Sequence, residues 1–233
     1  MIRAVLLDVG GPILDEEPEY RAWERFLAAC LREHGIGATE EDVHGVVLHY
    51  TRHMDSNPWL AVLWHYLRPD VHRFRAAEER FREFKREWLA RREFRVRAGV
   101  REAIAALRER GYILAIAANQ EVRTGEFLRR EGITAGFAWD LVSAEMGVTK
   151  PLPIFFRMIL DGIGVPPAEA VMVGDRLDHD VLPARILGMR AVRVLTGPYR
   201  EQIPVIPAHC PDYTIPDLHA LPAALAALER GPR

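Results

Sequence analysis

The chain has 233 residues, 49% hydrophobic and 27% charged, a balance that suits one large globular domain or a core carrying an inserted module. Its formal net charge of −2 provides no basic field for nucleic acid or an anionic membrane. No apolar run approaches the ~18 residues needed to cross a bilayer, and the start lacks the basic, apolar and cleavage regions of a signal peptide.

The compartment expected from this is a reducing cytoplasm. The two cysteines, Cys30 and Cys210, have no CxxC spacing and read as buried small apolar residues.

In chain order, Val5-Leu6-Leu7-Asp8 is a short apolar run that ends in an acid, the pattern of a buried parallel strand. It runs through Asp8 into the breaker Gly10-Gly11-Pro12. From Pro18 to about Arg95 the spacing turns helical: Trp23, Phe26, Leu27, Cys30, Leu31; then Val43, Val46, Val47, Tyr50; then Phe74, Phe81, Phe84, Trp88, Leu89. Breaks at Gly35/Gly37, Asn57-Pro58 and Arg68-Pro69 divide this stretch into about four helices. Afterwards strand and helix alternate. A helix over Val100–Arg110 precedes a strand over Tyr112–Ala118 and a helix over Glu121–Glu131. A short strand over Phe137–Val142 and a helix over Pro151–Ile163 follow, the helix with proline in its first turn. Next come a strand over Ala170–Val173, a helix over Asp178–Leu187 and a strand over Ala191–Leu195. A last strand, Asp212–Ile215, and a helix, Leu218–Leu228, end in a tail, Gly231-Pro232-Arg233, expected to fray. The pattern predicts an α/β fold: a doubly wound, Rossmann-like parallel sheet from residues 1–14 and 96–233, with an all-helical cap inserted over 15–95.

Ligands of open α/β sheets bind outside the carboxyl ends of the strands. Asp8, Gly10 and Gly11 follow the first predicted strand, Asn119 the second, and Gly174, Asp175 and Asp180 the Ala170 strand, while Lys150 precedes the Pro151 helix. Clustered carboxylates suit Mg²⁺, which takes oxygen ligands and keeps waters. A carboxylate beside such an ion can attack phosphorus and form an acyl-phosphate that water then hydrolyses. A lysine neutralises the developing charge, and amides of a glycine turn or a helix start bind phosphate oxygens.

Four segments in order carry a resemblance. Asp8-Val9-Gly10-Gly11-Pro12-Ile13-Leu14 resembles DxDGTL, and Ile116-Ala117-Ala118-Asn119 resembles an apolar run ending in Ser/Thr-Asn. Gly147-Val148-Thr149-Lys150-Pro151-Leu152-Pro153-Ile154-Phe155 resembles GxxKPxPxxF, and Val173-Gly174-Asp175-Arg176-Leu177-Asp178-His179-Asp180 resembles GDxxxxD. In this order they resemble the haloacid dehalogenase-like hydrolase superfamily with a type 1 helical cap. The resemblance implies Asp8 as nucleophile and metal ligand, with the Gly10 carbonyl and Asp175 at the metal and Asp180 supporting the metal site or Lys150. It implies that Lys150 holds Asp8 and the phosphate, and that Gly10, Gly11, Ala118, Asn119 and their amides bind phosphate. The implied cofactor is Mg²⁺ and the implied partner a small phosphorylated substrate.

Three positions depart from that pattern. The family's phosphatases usually carry a second aspartate, a general acid/base, where this chain has Gly10. Ala118 stands for Ser/Thr in the second motif, and Pro12 for Thr in the first. Three readings follow: a phosphatase whose proton comes from water or another residue; a dehalogenase or phosphonatase; or a binding or regulatory module. An intact GDxxxxD argues against the metal-free dehalogenases, and Lys85, the one lysine of the helical block, is the sole candidate for a phosphonatase's Schiff base. Asp15, Glu16, Glu17 and His179 are candidate proton donors, but a solvated acidic linker and a solvent-facing histidine are the readings preferred for them. Lys85 itself reads as exposed, and His49 and His53, four apart, as a partly buried polar helix face.

Overall fold

A computed structural model describes residues 1–230, and the expected fraying of residues 231–233 lies outside the described residues. The chain forms two compact units. One contains Met1–Asp15, Phe94–Arg200 and Pro204 onward; the other contains Glu16–Glu93 and Glu201–Ile203.

The first unit is built on five parallel strands: β1 (Ala4–Leu7), β2 (Ile113–Ile116), β3 (Ala170–Gly174), β4 (Arg190–Val194) and β5 (Tyr213–Ile215). Their spatial order is β2-β1-β3-β4-β5. β1 is apolar and buried at all four positions, as a central strand covered on both faces must be. Along one face, Val5, Leu7, Leu114, Ile116, Val171, Val173, Val192 and Val194 share a hydrophobic cluster with Ile104, Leu107, Leu221 and Leu225. Those last four come from two helices, Val100–Glu109 and Leu221–Arg230. The alternate residues Ala4, Leu6, Ala115, Met172 and Ala191 are also fully or almost fully buried.

Register sets the site. Leu7 pairs with Ile116 on one side and with Val173 on the other, so three strands end level. Chain order reverses at β1, the topological switch point where an open α/β sheet leaves a crevice. Asp8, Ala117 and Gly174 therefore come next to one another at that crevice.

The second unit holds four helices, α1 (Glu17–Glu33), α2 (Glu40–Arg52), α3 (Pro58–Leu67) and α4 (Val71–Arg91). Local chemistry sets their starts. Thr39 and Asp42 form a capping box on α2, and Asn57 and Asp70 cap α3 and α4. Leu27, Leu31, Val43, Val47, Trp59, Leu63 and Phe81 are almost fully buried. Around them Tyr20 stacks on Trp59 at 4.9 Å, and Phe26 on Phe84 at 4.3 Å. Trp59 is core, whereas Trp64 is 39% exposed. Lys85 is half-buried rather than exposed: its ammonium lies 4.8 Å from the centre of the Phe81 ring and 5.4 Å from that of Trp23. Burial pushes its pKa down.

Other expectations need correcting. Phe137–Val142 is no strand; Trp139 makes a single bridge to Ala115 before the short helix Ser143–Met146 begins. Asp178–Leu187 is not one helix. A π-helical turn over Leu177–Val181 leads into a helix over Leu182–Ile186. Cys30 is buried as expected, but Cys210 is exposed. Among the described residues no helix is long and apolar enough to cross a membrane.

Candidate active site

Asp8 leaves β1 with its amide bonded to the Val173 carbonyl of β3 at 2.9 Å. Its Oδ1 accepts the Val9 amide at 2.8 Å and lies 2.9 Å from the Lys150 ammonium. That ammonium also donates to Asp180 Oδ1 at 2.6 Å, and Asp180 Oδ2 accepts the Arg176 amide at 2.9 Å. The π turn explains this reach. Val181 N–H bonds the Arg176 carbonyl, five residues back, at 3.2 Å, and the wider turn aims the Asp180 carboxylate inward. π turns of this kind recur at functional sites.

Asp8, Asp175 and Asp180 are all buried, and one carboxylate oxygen of each lies within 4.8 Å of the others. The Lys150 ammonium pairs with two of these carboxylates, Asp8 and Asp180, and Asp175 completes the acidic cluster. The nearby Arg176 guanidinium pairs with Asp178, at 3.1 and 2.5 Å, stacks on Tyr199 at 4.2 Å and also interacts electrostatically with Asp175. Burial pushes the Asp8 carboxyl well above the usual carboxylate range; Lys150 opposes this and Asp180 adds to it. Burial alone would lower Lys150, but Asp180 and Asp8 outweigh it and hold the ammonium above its ordinary value. Buried charge of one sign is costly without a counter-charge, so a divalent cation with oxygen preference fits this donor set.

The residues expected to bind phosphate are placed less simply. The turn after Asp8 closes with Ile13 and Leu14 amides on the Val9 carbonyl, at 3.0 and 2.8 Å. Gly10 is half-buried in this turn. Gly11 donates its amide to Leu14 at 3.0 Å and accepts from Arg97 Nε at 2.6 Å, so its amide is spent within the turn. Its role here is close approach. At φ +87°, a Cβ would stand 2.6 Å from Asp175 Oδ2 and 2.7 Å from Thr196 Oγ1. Ala118 is fully buried, and its carbonyl accepts the Ser143 amide at 3.0 Å. Asn119 has partners that the sequence does not show. Its Oδ1 accepts the Lys150 amide at 2.7 Å and its Nδ2 donates to the Lys150 carbonyl at 3.0 Å. Both ends of the side chain hold the lysine's backbone in place.

Two residues escaped the sequence reading. Thr196, 7% exposed, brings its hydroxyl 3.4 Å from Asp175 Oδ2. It follows β4, whose carboxyl end was a place to look. Arg97, which also pairs with Asp15 at 3.1 Å, carried no motif and was not legible. His179 is half-buried, not solvent-facing, and burial, followed by Arg176, pushes its pKa down to about 4.

The crowding at Gly11 yields an expected result. Gly188 has a similar φ of +82°, and a Cβ there would meet nothing within 4 Å, so Gly188→Ala carries only the left-handed backbone cost, about 1–2 kcal/mol. Gly11→Ala should lose about 1–3 kcal/mol more, the scale of overpacking. Denaturant unfolding of both variants measures the difference. Equal losses would show that the Asp175 carboxylate and Thr196 move aside freely.

Comparison with known proteins follows the same lines. A glyceraldehyde 3-phosphate phosphatase of Methanopyrus kandleri is 41% identical over 110 residues, 47% of this chain and 47% of that protein. A phosphoserine phosphatase of Thermus thermophilus is 37% identical over 145 residues, 61% of this chain and 56% of that protein. The chain thus spans about half the length of these curated relatives. In fold, it resembles a crystal structure from Haemophilus somnus described as a predicted phosphoglycolate phosphatase. That similarity has a TM-score of 0.67 and 21% identity, and covers 96% of this chain and 98% of the other. The family model for haloacid dehalogenase-like hydrolases matches residues 2–188. On that match, and with its parallel sheet and acidic crevice, the chain belongs to the haloacid dehalogenase-like hydrolases.

Proposed function

We propose that this chain is a Mg²⁺-dependent phosphoric monoester hydrolase that acts on a small phosphorylated metabolite, with Asp8 as its nucleophile. The observation that carries the reading is the Lys150 ammonium held between Asp8 at 2.9 Å and Asp180 at 2.6 Å, with Asp175 in the same cluster. The relatives named as phosphatases support it.

Asp8, Asp175 and Asp180 would hold the ion, with the Gly10 carbonyl as the further ligand that the resemblance implies. When bound, Mg²⁺ supplies positive charge that draws Asp8 to its ionised form and stabilises negative charge developing on the phosphoryl group. An Asp8 oxygen attacks phosphorus, the bond from phosphorus to the ester oxygen breaks, and the alcohol departs with its electron pair and takes up a proton. Lys150 neutralises charge on Asp8 and the phosphoryl oxygens throughout, and Asn119 keeps the lysine in place through its backbone. Water then attacks phosphorus, which returns Asp8 as a carboxylate and releases inorganic phosphate. No side chain at position 10 gives the first proton, so it comes from solvent or another group.

A panel of phosphate esters tests the proposal. With Mg²⁺, phosphate release is expected from several small esters, and excess chelator should abolish it. Restoring Mg²⁺ should restore activity. Full turnover in chelator, or halide release from a 2-haloacid with no phosphate release from any ester, would contradict the reading.

A further inference from the structure

The helical unit contains a second set of ligand-type side chains, separate in sequence from every residue of the acidic cluster. His49 lies in the last turn of α2 and His53, four residues on, is its C-cap; both are exposed to solvent. Their ring centres are 4.6 Å apart, with the planes tilted by 44°. Side chains on a helix lean toward its N-terminus, and His53 does so: its Nδ1 meets the His49 carbonyl at 2.7 Å. A backbone carbonyl can only accept, so Nδ1 carries the proton and Nε2 of the neutral ring is left as a lone-pair donor. A carbonyl that fixes one imidazole nitrogen so that the other can bind is the arrangement found behind metal-ligating histidines.

From these observations we propose that His49 and His53 form a binding site for a divalent transition-metal ion of the zinc, nickel or copper class. The distance fits. With metal–nitrogen bonds of about 2.0–2.1 Å, an ion sits about 3.2 Å from each ring centre. With both lone pairs turned to one ion, a separation of 4.6 Å between centres corresponds to an angle of roughly 90° at the ion, which suits two neighbouring ligands. Imidazole selects these ions over Mg²⁺, which prefers carboxylate, carbonyl and water oxygens, so the site and the acidic cluster sort ions by chemistry. His65 on α3 completes the neighbourhood. Its Nδ1 is 3.5 Å from the Tyr50 hydroxyl, and it lies close enough to feel His49 electrostatically. Water supplies the remaining ligands.

The test uses the untagged 233-residue chain in excess Mg²⁺, which occupies oxygen sites. Titration with Ni²⁺ in a calorimeter is expected to show one equivalent bound. His49→Gln and His53→Gln should each weaken binding by tenfold or more, and Asp175→Asn should leave it unchanged. With Cu²⁺ as the probe, the electron paramagnetic resonance spectrum should show coupling to two imidazole nitrogens, reduced to one in either histidine variant. Far-UV circular dichroism confirms that the helices persist in both variants. Absence of Ni²⁺ binding, unchanged affinity in both histidine variants, or loss of binding in Asp175→Asn would overturn the proposal.

Discussion

Asp8→Asn is expected to lower kcat/KM for every ester the wild type hydrolyses by roughly 10⁴–10⁶-fold, the scale on which loss of a covalent nucleophile acts. It should do so without unfolding the chain. Asparagine has nearly the shape of aspartate, and Lys150 keeps Asp180 as a partner at 2.6 Å. Burial raises the folded Asp8 from 3.8 to about 7. The folded state therefore binds its proton more tightly than the unfolded chain, and stability contributed by this group is lost as pH rises through that window. Asparagine keeps the uncharged form at every pH. In metal-free protein near pH 7, Asp8→Asn should accordingly melt no lower than wild type. Steady-state kinetics and a thermal melt on the same preparation check both halves. Retained activity would remove Asp8 from the mechanism; a collapsed melting temperature would mean that its role is structural.

The second large effect concerns position 10. An aryl phosphate leaves as a fairly stable anion, whereas an alkyl or sugar alcohol needs a proton as it departs. With glycine at position 10, the wild type should turn over aryl esters much faster than alkyl esters. Gly10→Asp should then raise alkyl turnover selectively, by up to ~10²–10⁴-fold, the contribution of general acid catalysis. The backbone permits the change. Gly11 holds the left-handed conformation at φ +87°, and Gly10 is not among the positive-φ glycines. The check is the ratio of kcat/KM for an aryl and an alkyl ester in both proteins. Equal wild-type values with no selective gain in a folded Gly10→Asp would show that another group already gives the proton. Asp15, Glu16, Glu17 and His179 would then be replaced one at a time. His179 starts from a weak position, since burial holds it neutral and poorly basic.

Much of this was legible in the sequence because the informative signals were local. A four-residue apolar run with no alternation, Ala4–Leu7, has few other uses than a central parallel strand, and the residue after it inherits the crevice. Helical spacing between Trp23 and Leu89 is equally local, and four helices appeared there. What the sequence hid depends on contacts between distant residues. Periodicity marks a helix near Asp178, but not the π turn that aims Asp180 inward to Lys150 and to the Arg176 amide. Asn119 looked like a ligand donor because it ends a strand; its partner, Lys150, is 31 residues away. Lys85 looked exposed among arginines and glutamates, until α1 brought Trp23 beneath its ammonium. Thr196 sits beside Asp175 only because β3 and β4 are neighbours in the sheet.

The central claim is that Asp8 carries the phosphoryl group. Acyl-phosphates are reduced by borohydride, which converts the aspartyl side chain to that of homoserine. Wild-type protein mixed with Mg²⁺ and its best ester from the panel, quenched during turnover and reduced, should yield homoserine at position 8 in the N-terminal peptide by mass spectrometry. The same peptide should be unmodified when substrate or Mg²⁺ is omitted. Rapid ester hydrolysis with position 8 unmodified, or with the modification on another carboxylate, would contradict the account.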